Sequence, residues 1–219
     1  MGVLREYFDR NPGRNMRKWD GYFEVYERHF ARFRDRPVNV LEIGVSHGGS
    51  LQMWKMYFGP RAQIFGVDIV PQCKALEEDR IAIYIGDQRD PVFLAKLRAE
   101  LPRPDVLIDD GGHRMEEQIA TFEALFPHVA DDGVYVCEDV HTSYWAQWGG
   151  GLRRPGTFVE YAKRLVDQLT AWHTNDPANY AVDELTRSAH SMHFYNSMIV
   201  IEKRRMQPPR KLESGKLSF

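Results

Sequence analysis

The strongest constraint on this chain is a repeated unit: a short, almost wholly apolar run, an acidic residue at or just past its end, then a helical stretch. The runs span residues 38–43, 63–67, 81–85, 105–108 and 133–137. Their ends carry Glu42, Asp68, Asp87, the pair Asp109 and Asp110, and the pair Glu138 and Asp139. Between them, residues 50–58, 71–78, 90–101 and 115–129 read as helices, the second opened by Pro71. Apolar strands alternating with helices over short connections imply an α/β fold, with a parallel sheet covered on both faces. Ligands of such sheets bind at the carboxyl edge of the strands. The acids therefore gather around one crevice.

The flanks are less regular. Residues 1–36 are aromatic and basic, with Tyr22, Tyr26, Phe30 and Phe33 at helical spacing and Trp19 and Phe23 beside them. They read as a helical cap packed on the main domain, or as a lid over a ligand. Gly149, Gly150 and Gly151 form a flexible connector, and residues 157–172 read as a helix. Residues 191–195 and 197–202 read as two closing strands with Asn196 at the bend. The expected division is a cap over 1–36, one domain over 37–205, and a disordered tail over 206–219.

Composition sets outer limits. A chain of 219 residues with 43% hydrophobic and 27% charged residues suits one globular domain. The net charge of −2 lacks the basic excess that nucleic acid or an anionic membrane would require. Two cysteines, Cys73 and Cys137, make neither a disulfide framework nor a zinc site. No run is long enough to span a bilayer, and the first residues lack a signal-peptide core. The expectation is a cytoplasmic protein with no nucleic-acid or membrane partner.

Two constellations carry chemistry. The first is Glu42-Ile43-Gly44-Val45-Ser46-His47-Gly48-Gly49-Ser50, between a strand and a helix. Glycines there let the backbone approach a ligand, and the helix N-terminus favours an anionic group. Neither the dinucleotide fingerprint nor the P-loop lysine is present. Asp68, ending the second run, is placed to accept hydrogen bonds from ribose hydroxyls. Asp87, followed by Gln88, could accept from an adenine amine. Each acid could also serve as a helix N-cap, but a series along one edge exceeds what caps require. Glu42, Gly48 and Asp109 are read into the same cofactor-binding set.

The second constellation is Ile108-Asp109-Asp110-Gly111-Gly112-His113 with Cys137-Glu138-Asp139-Val140-His141. Asp110, Glu138 and Asp139 offer carboxylates from neighbouring strand ends, a donor set suited to Mg²⁺, Mn²⁺ or Ca²⁺. Unpaired, such acids would repel one another, so a cation is their natural partner. His113 and His141 each lie within three residues of a proposed ligand and are both candidates for a general base. Tyr144 and Trp145 supply rings that can pack on a sugar and bond its hydroxyls.

The glycine loop and Asp68 resemble those of class I S-adenosylmethionine-dependent methyltransferases. The resemblance implies a Rossmann-like, seven-stranded, mostly parallel sheet whose last strand, in the hairpin over 194–202, runs antiparallel. It assigns Gly44 and Ser46 to the methionine portion, Asp68 to the ribose, and Asp87 with Gln88 to the adenine. The stretches I-D-D-G-G-H, E-D-V-H-T-S-Y-W and H-F-Y-N-S-M-I-V-I-E-K narrow the resemblance to metal-dependent sugar O-methyltransferases. These act on rhamnose and other macrolide sugars and on mycobacterial methylmannose polysaccharide. The likeness covers residues 38–203. It implies Asp110, Glu138 and Asp139 as metal ligands and His113 as base. It also places His141, Tyr144 and Trp145 beside the acceptor. Gly112 departs from it, since relatives often carry serine there. The chain resembles the short, single-domain members, which often form dimers. The expected reaction is Mg²⁺- or Mn²⁺-assisted methyl transfer to a hydroxyl of a small glycoside or oligosaccharide. An aromatic diol as acceptor, or a non-catalytic adenine-nucleotide-binding role, are the alternatives.

Overall fold

Five parallel strands form on the five apolar runs: β1 (Asn39–Ile43), β2 (Gln63–Asp68), β3 (Ile81–Ile85), β4 (Val106–Asp109) and β5 (Val134–Cys137). In this computed structural model, which describes residues 2–216 and Ser218, a hairpin of β6 (Ala189–Tyr195) and β7 (Met198–Lys203) completes the sheet. Residue 1 of the expected cap and residues 217 and 219 of the expected tail lie outside the described residues. The strand order is β3-β2-β1-β4-β5-β7-β6, with β7 antiparallel to both neighbours. The order reverses between β1 and β4, and that switch point opens a crevice at the carboxyl edge.

Seven α-helices are present among the described residues: α1 (Val3–Asp9), α2 (Tyr22–Phe30), α3 (Gly49–Phe58), α4 (Pro91–Glu100), α5 (Met115–Leu125), α6 (Phe158–Leu169) and α7 (Glu184–Ser188). α1 falls within the expected helical cap, and α7, of five residues, is too short to show an apolar stripe. The helix expected over 71–78 is instead a 3-10 helix, Pro71–Leu76. Its side chains and neighbours are committed to the edge strand β3: Lys74 Nζ donates to the Ile83 carbonyl (2.8 Å), and Glu77 Oε1 accepts from the Ile83 amide (2.8 Å). The connection thereby covers a sheet edge that would otherwise stay unpaired. The helix expected over 115–129 ends as α5 at Leu125 and tightens to a 3-10 turn at Phe126–His128, because Pro127 has no amide proton to donate.

Strand side chains alternate between the two faces of the sheet. Val40, Ile64, Val106, Ile108, Val134 and Val136 share a core with α2 and α3. Leu41, Ile43, Leu107, Tyr135 and Cys137 share a second core with α4, α5 and α6. The aromatic stripe of the N-terminal region belongs to the first core. Tyr26 and Phe30 are fully buried and meet Trp54 of α3 edge-on, with ring centroids 5.0 and 5.7 Å apart. In energetic terms residues 22–33 are part of the sheet's packing.

Asp109 is the buried polar node behind the crevice. Its carboxylate accepts from Gln88 Nε2 (3.3 Å) and from the Tyr135 hydroxyl (3.3 Å). Gln88 also donates to Thr121 Oγ1 (3.0 Å) and accepts from the Gly112 amide (2.8 Å), which pins the loop after β4. Burial raises the Asp109 pKa to about 8, against the opposing pull of these hydrogen bonds.

Two measurements check this packing. Phe30→Ala should lose about 3–5 kcal/mol in urea unfolding; a loss below about 1 kcal/mol would mean α2 is only loosely attached. Between the unfolded carboxyl pKa of about 4 and the folded value, the native chain keeps an Asp109 proton that the unfolded chain has released. Stability should therefore fall as pH rises from about 4 to 8. Thermal unfolding of Asp109→Asn across that range should show a flatter profile than the parent.

Candidate active site

The turn after β1 sets the floor of the crevice. Gly44 has φ +95°, and a Cβ there would fall 2.1 Å from the Asp110 carbonyl oxygen, so the β1 and β4 loops can approach only through glycine. Asp68, at the end of β2, holds this turn. Its Oδ2 accepts from the Val45 and Ser46 amides (2.9 Å each) and its Oδ1 from the Val70 amide (2.9 Å). One function of the predicted ribose acid is thus to shape the glycine loop.

A cleft of about 570 Å³ runs from this loop across the sheet edge. Gly44, Ser46, Asp68, Asp87 and Gln88 line it, together with Asp110, His113 and Asp139, and the Gly44 and Asp110 turns touch. Asp87 is bound by Arg89 through the amide (2.8 Å) and Nη2 (2.8 Å), which holds its carboxyl below the usual range. Three expected cofactor residues do not line the cleft. Glu42 and Asp109 point to opposite faces of the sheet, and both are buried. Gly48, at φ +76°, faces Leu76 and Arg14. The N-terminus of α3, expected to greet an anionic group, is partly taken up: the Gly49 amide donates to the Asn15 carbonyl (3.2 Å). Residues 15–18 themselves line the cleft.

Strand alternation brings the acids together. Asp109 pairs with Cys137, so Asp110 and Glu138 follow side by side on the α2 face. Glu138 is buried, with Oε1 accepting from the Tyr26 hydroxyl (2.6 Å) and Oε2 from Lys18 Nζ (2.9 Å). Burial, and then the neighbouring Asp110, hold its pKa well above the usual range. Asp110 Oδ2 also accepts from Lys18 (2.6 Å). Asp139 Oδ1 accepts from the Tyr22 hydroxyl (2.6 Å) and from Trp19 Nε1 (3.1 Å). Asp110 Oδ1 and Asp139 Oδ2 lie 3.8 and 3.6 Å from His113 Nε2. Asp110, His113 and Asp139 each offer a ligand atom within 4.8 Å of the others'. Glu138 adjoins this group but has both oxygens engaged.

His113 and Asp139 both hold left-handed backbone, at φ 57° and 53°. Such conformations are uncommon outside glycine and gather at functional sites. Thr142 ties the two turns by donating to the His113 carbonyl (2.8 Å). His113 lines the cleft and His141 does not. His141 Nδ1 is bonded to Ser197 Oγ, and its ring lies between Trp19 and Trp145, with centroids 5.8 and 4.5 Å away. Tyr144 and Trp145 are half exposed and, like His141, are not among the residues that line the cleft.

Lys18, Trp19, Tyr22 and Tyr26 were not recognised as site residues in the sequence. All four come from the N-terminal region and all four donate to the acids. The aromatic spacing announced a helix, and nothing local showed which strand ends its polar tips would meet.

No protein-family model matches the chain. It is 39% identical over 191 residues to the 8-demethyl-8-alpha-L-rhamnosyl tetracenomycin-C 2'-O-methyltransferase of Streptomyces olivaceus, covering 84% of this chain and 50% of that one. It is 40% identical over 189 residues to the demethylmacrocin O-methyltransferase of Streptomyces fradiae, covering 81% and 47%. Among solved structures it matches the MycE methyltransferase of the mycinamycin biosynthetic pathway, in complex with Mg and SAH. That match has a TM-score of 0.83 and 35% identity, over 93% of this chain and 55% of the other. The chain spans about half the length of the curated relatives it matches. By sequence and by fold, it belongs with the macrolide- and rhamnoside-modifying sugar O-methyltransferases, whose class I methyltransferase fold it shares.

Proposed function

We propose that the chain transfers a methyl group from S-adenosylmethionine to a hydroxyl of a sugar or glycoside, with a divalent ion, Mg²⁺ or Mn²⁺, at Asp110 and Asp139. The observation that carries this reading is the convergence of Asp110, Asp139 and His113 in a cleft that Gly44 and Asp68 also line.

The residues present suit both groups. The cleft has the volume of a cofactor site. The bare Gly44 turn allows close approach, and Asp68 keeps acceptor capacity beyond its three amide bonds. The carboxylate oxygens of Asp110 and Asp139 are hard donors suited to Mg²⁺ or Mn²⁺. Glu138, expected as a third ligand, stands next to them and would join only by sharing an oxygen with Lys18 or Tyr26. When bound, S-adenosylmethionine supplies an electrophilic methyl group, and the ion an anchor that acidifies an acceptor hydroxyl.

The protein's own groups do the rest. His113 Nε2, facing the cleft beside both acids, takes the proton of the attacking hydroxyl. Thr142 and the strained turns hold the His113 backbone beside the acids, so positioning carries much of the rate. Tyr144 and Trp145, exposed on the segment that follows Asp139, offer faces to the apolar side of a pyranose. His141, tied to Ser197 and enclosed by indoles, supports that wall.

The test is a methyl-transfer assay with Mg²⁺ over a panel of rhamnosides, mannosides and catechols. Turnover of a glycoside supports the reading. Turnover of catechols alone would redirect it to aromatic diols, and nucleotide binding without transfer would remove the enzymatic reading. Asp139→Ala, or chelation, should lower turnover by at least about 10³-fold while leaving the S-adenosylmethionine Kd within about fivefold. His113→Ala should cost about 10²–10⁴-fold in kcat, and His141→Ala less than about tenfold; the reverse order would make His141 the base.

A further inference from the structure

The acids beside the cleft already have a cation, and it is part of the chain. The Lys18 side chain is 2% exposed, and its Nζ lies 2.6 Å from Asp110 Oδ2, 2.9 Å from Glu138 Oε2 and 3.6 Å from Glu42 Oε1. These three carboxylates come from the ends of three adjacent strands, β1, β4 and β5. Glu42 Oε1 is buried without a hydrogen-bond partner, and Lys18 is its one ion-pair partner among the described residues. The three acids are the ion-pair partners of the Lys18 ammonium. The ammonium also sits 5.8 Å above the Tyr26 ring.

The neighbouring residues complete a pattern. Lys18 and Tyr26 take both oxygens of Glu138, Lys18 takes the inner oxygen of Asp110, and Trp19 and Tyr22 take Oδ1 of Asp139. Asp110 Oδ1 and Asp139 Oδ2 remain directed toward His113. The N-terminal region thus satisfies the inner half of the acid cluster and leaves the outer half open. Buried acids at this spacing repel one another unless paired, and removing one partner of such a set is strongly destabilising. A fixed positive charge so close also opposes a second cation.

We propose that Lys18 is the resident counter-charge of the metal centre: it stabilises the acid cluster in the metal-free protein, and it weakens the site's hold on a divalent ion. Folding is then independent of metal, and the ion can exchange. The second half rests on the metal reading given under Proposed function. Lys18 acts through the acids as a positioning residue.

Lys18→Met keeps the aliphatic stem and removes the charge. Thermal unfolding is measured in chelator and with Mg²⁺, and Mg²⁺ binding is measured by calorimetry. In chelator the variant should melt at least about 5 °C below the parent. Saturating Mg²⁺ should recover most of that loss while moving the parent much less, because a ligand stabilises according to its affinity for the native state. The Mg²⁺ Kd of the variant should be at least about tenfold tighter. The double variant Lys18→Met/Glu138→Gln, which loses one charge of each sign, should regain the metal-free melting temperature. If Lys18→Met melts like the parent in chelator, or binds Mg²⁺ equally or more weakly, the proposal is overturned. Should the single variant fail to fold, the double variant decides: its folding supports the proposal and its failure overturns it. If the parent binds no Mg²⁺ while the double variant still restores stability, the metal reading of the site falls and the ion-pair role of Lys18 stands.

Discussion

Carboxylates from three adjacent parallel strands cannot share a buried corner without a cation, and here Lys18 supplies it. The strands place Glu42, Asp110 and Glu138 on one face of the sheet, with Glu42 and Glu138 buried and Asp110 partly open to the cleft. Desolvation of each acid is costly, and attraction to a single ammonium offsets it only when the geometry is close. The contacts of 2.6 and 2.9 Å meet that condition. Much of the remaining arrangement follows from it. The N-terminal segment must cross the cleft to deliver the lysine, and α2 must pack on the sheet face that carries the acids.

The packing of α2 and the chemistry of the cleft are therefore two aspects of one contact. Tyr26 is wedged among Phe30 and Trp54 through its ring and bonded to Glu138 through its hydroxyl. Tyr22 bonds Asp139 in the same way. Aromatic residues with a polar tip suit this place because they fill a core and still reach a charged rim. On the opposite face, burial raises the Asp109 pKa to about 8, and its amide and phenol partners hold the β4 loop steady. Two sequence-adjacent acids thus meet different surroundings, one ion-paired to Lys18 and one buried among neutral partners, because consecutive strand residues face different cores.

The two loops meet on strained backbone. His113 and Asp139 both occupy left-handed backbone, and each is held by bonds from elsewhere: Thr142 to the His113 carbonyl, Tyr22 and Trp19 to the Asp139 carboxylate. These turns aim the imidazole and one oxygen from each of Asp110 and Asp139 into the same part of the cleft. Such a geometry persists only when the surrounding structure over-determines it.

Much of this molecule was legible in the amino-acid sequence. The five apolar runs became five parallel strands and the closing pair became the antiparallel hairpin, because burial on both faces leaves a continuous hydrophobic signal that needs no tertiary information. Of the acids at the strand ends, Asp68, Asp87, Asp110 and Asp139 line the cleft, whereas Glu42, Asp109 and Glu138 turn into the packing behind it. Even the separation of Asp109 from Asp110 is implicit in the two-residue period of a strand. The short helix α7, the 3-10 connection at Pro71–Leu76 and the engagement of Asp68 by backbone amides were not legible, since each depends on partners distant in sequence. Lys18 marks the limit most clearly. Local sequence shows a lysine in an aromatic, basic stretch. Only the folded chain, by laying that stretch over the ends of β1, β4 and β5, makes it the counter-charge of acids 24, 92 and 120 residues away. Apolar periodicity encodes which surfaces are buried, whereas the pairing of isolated charges is decided by which buried surfaces come to face each other.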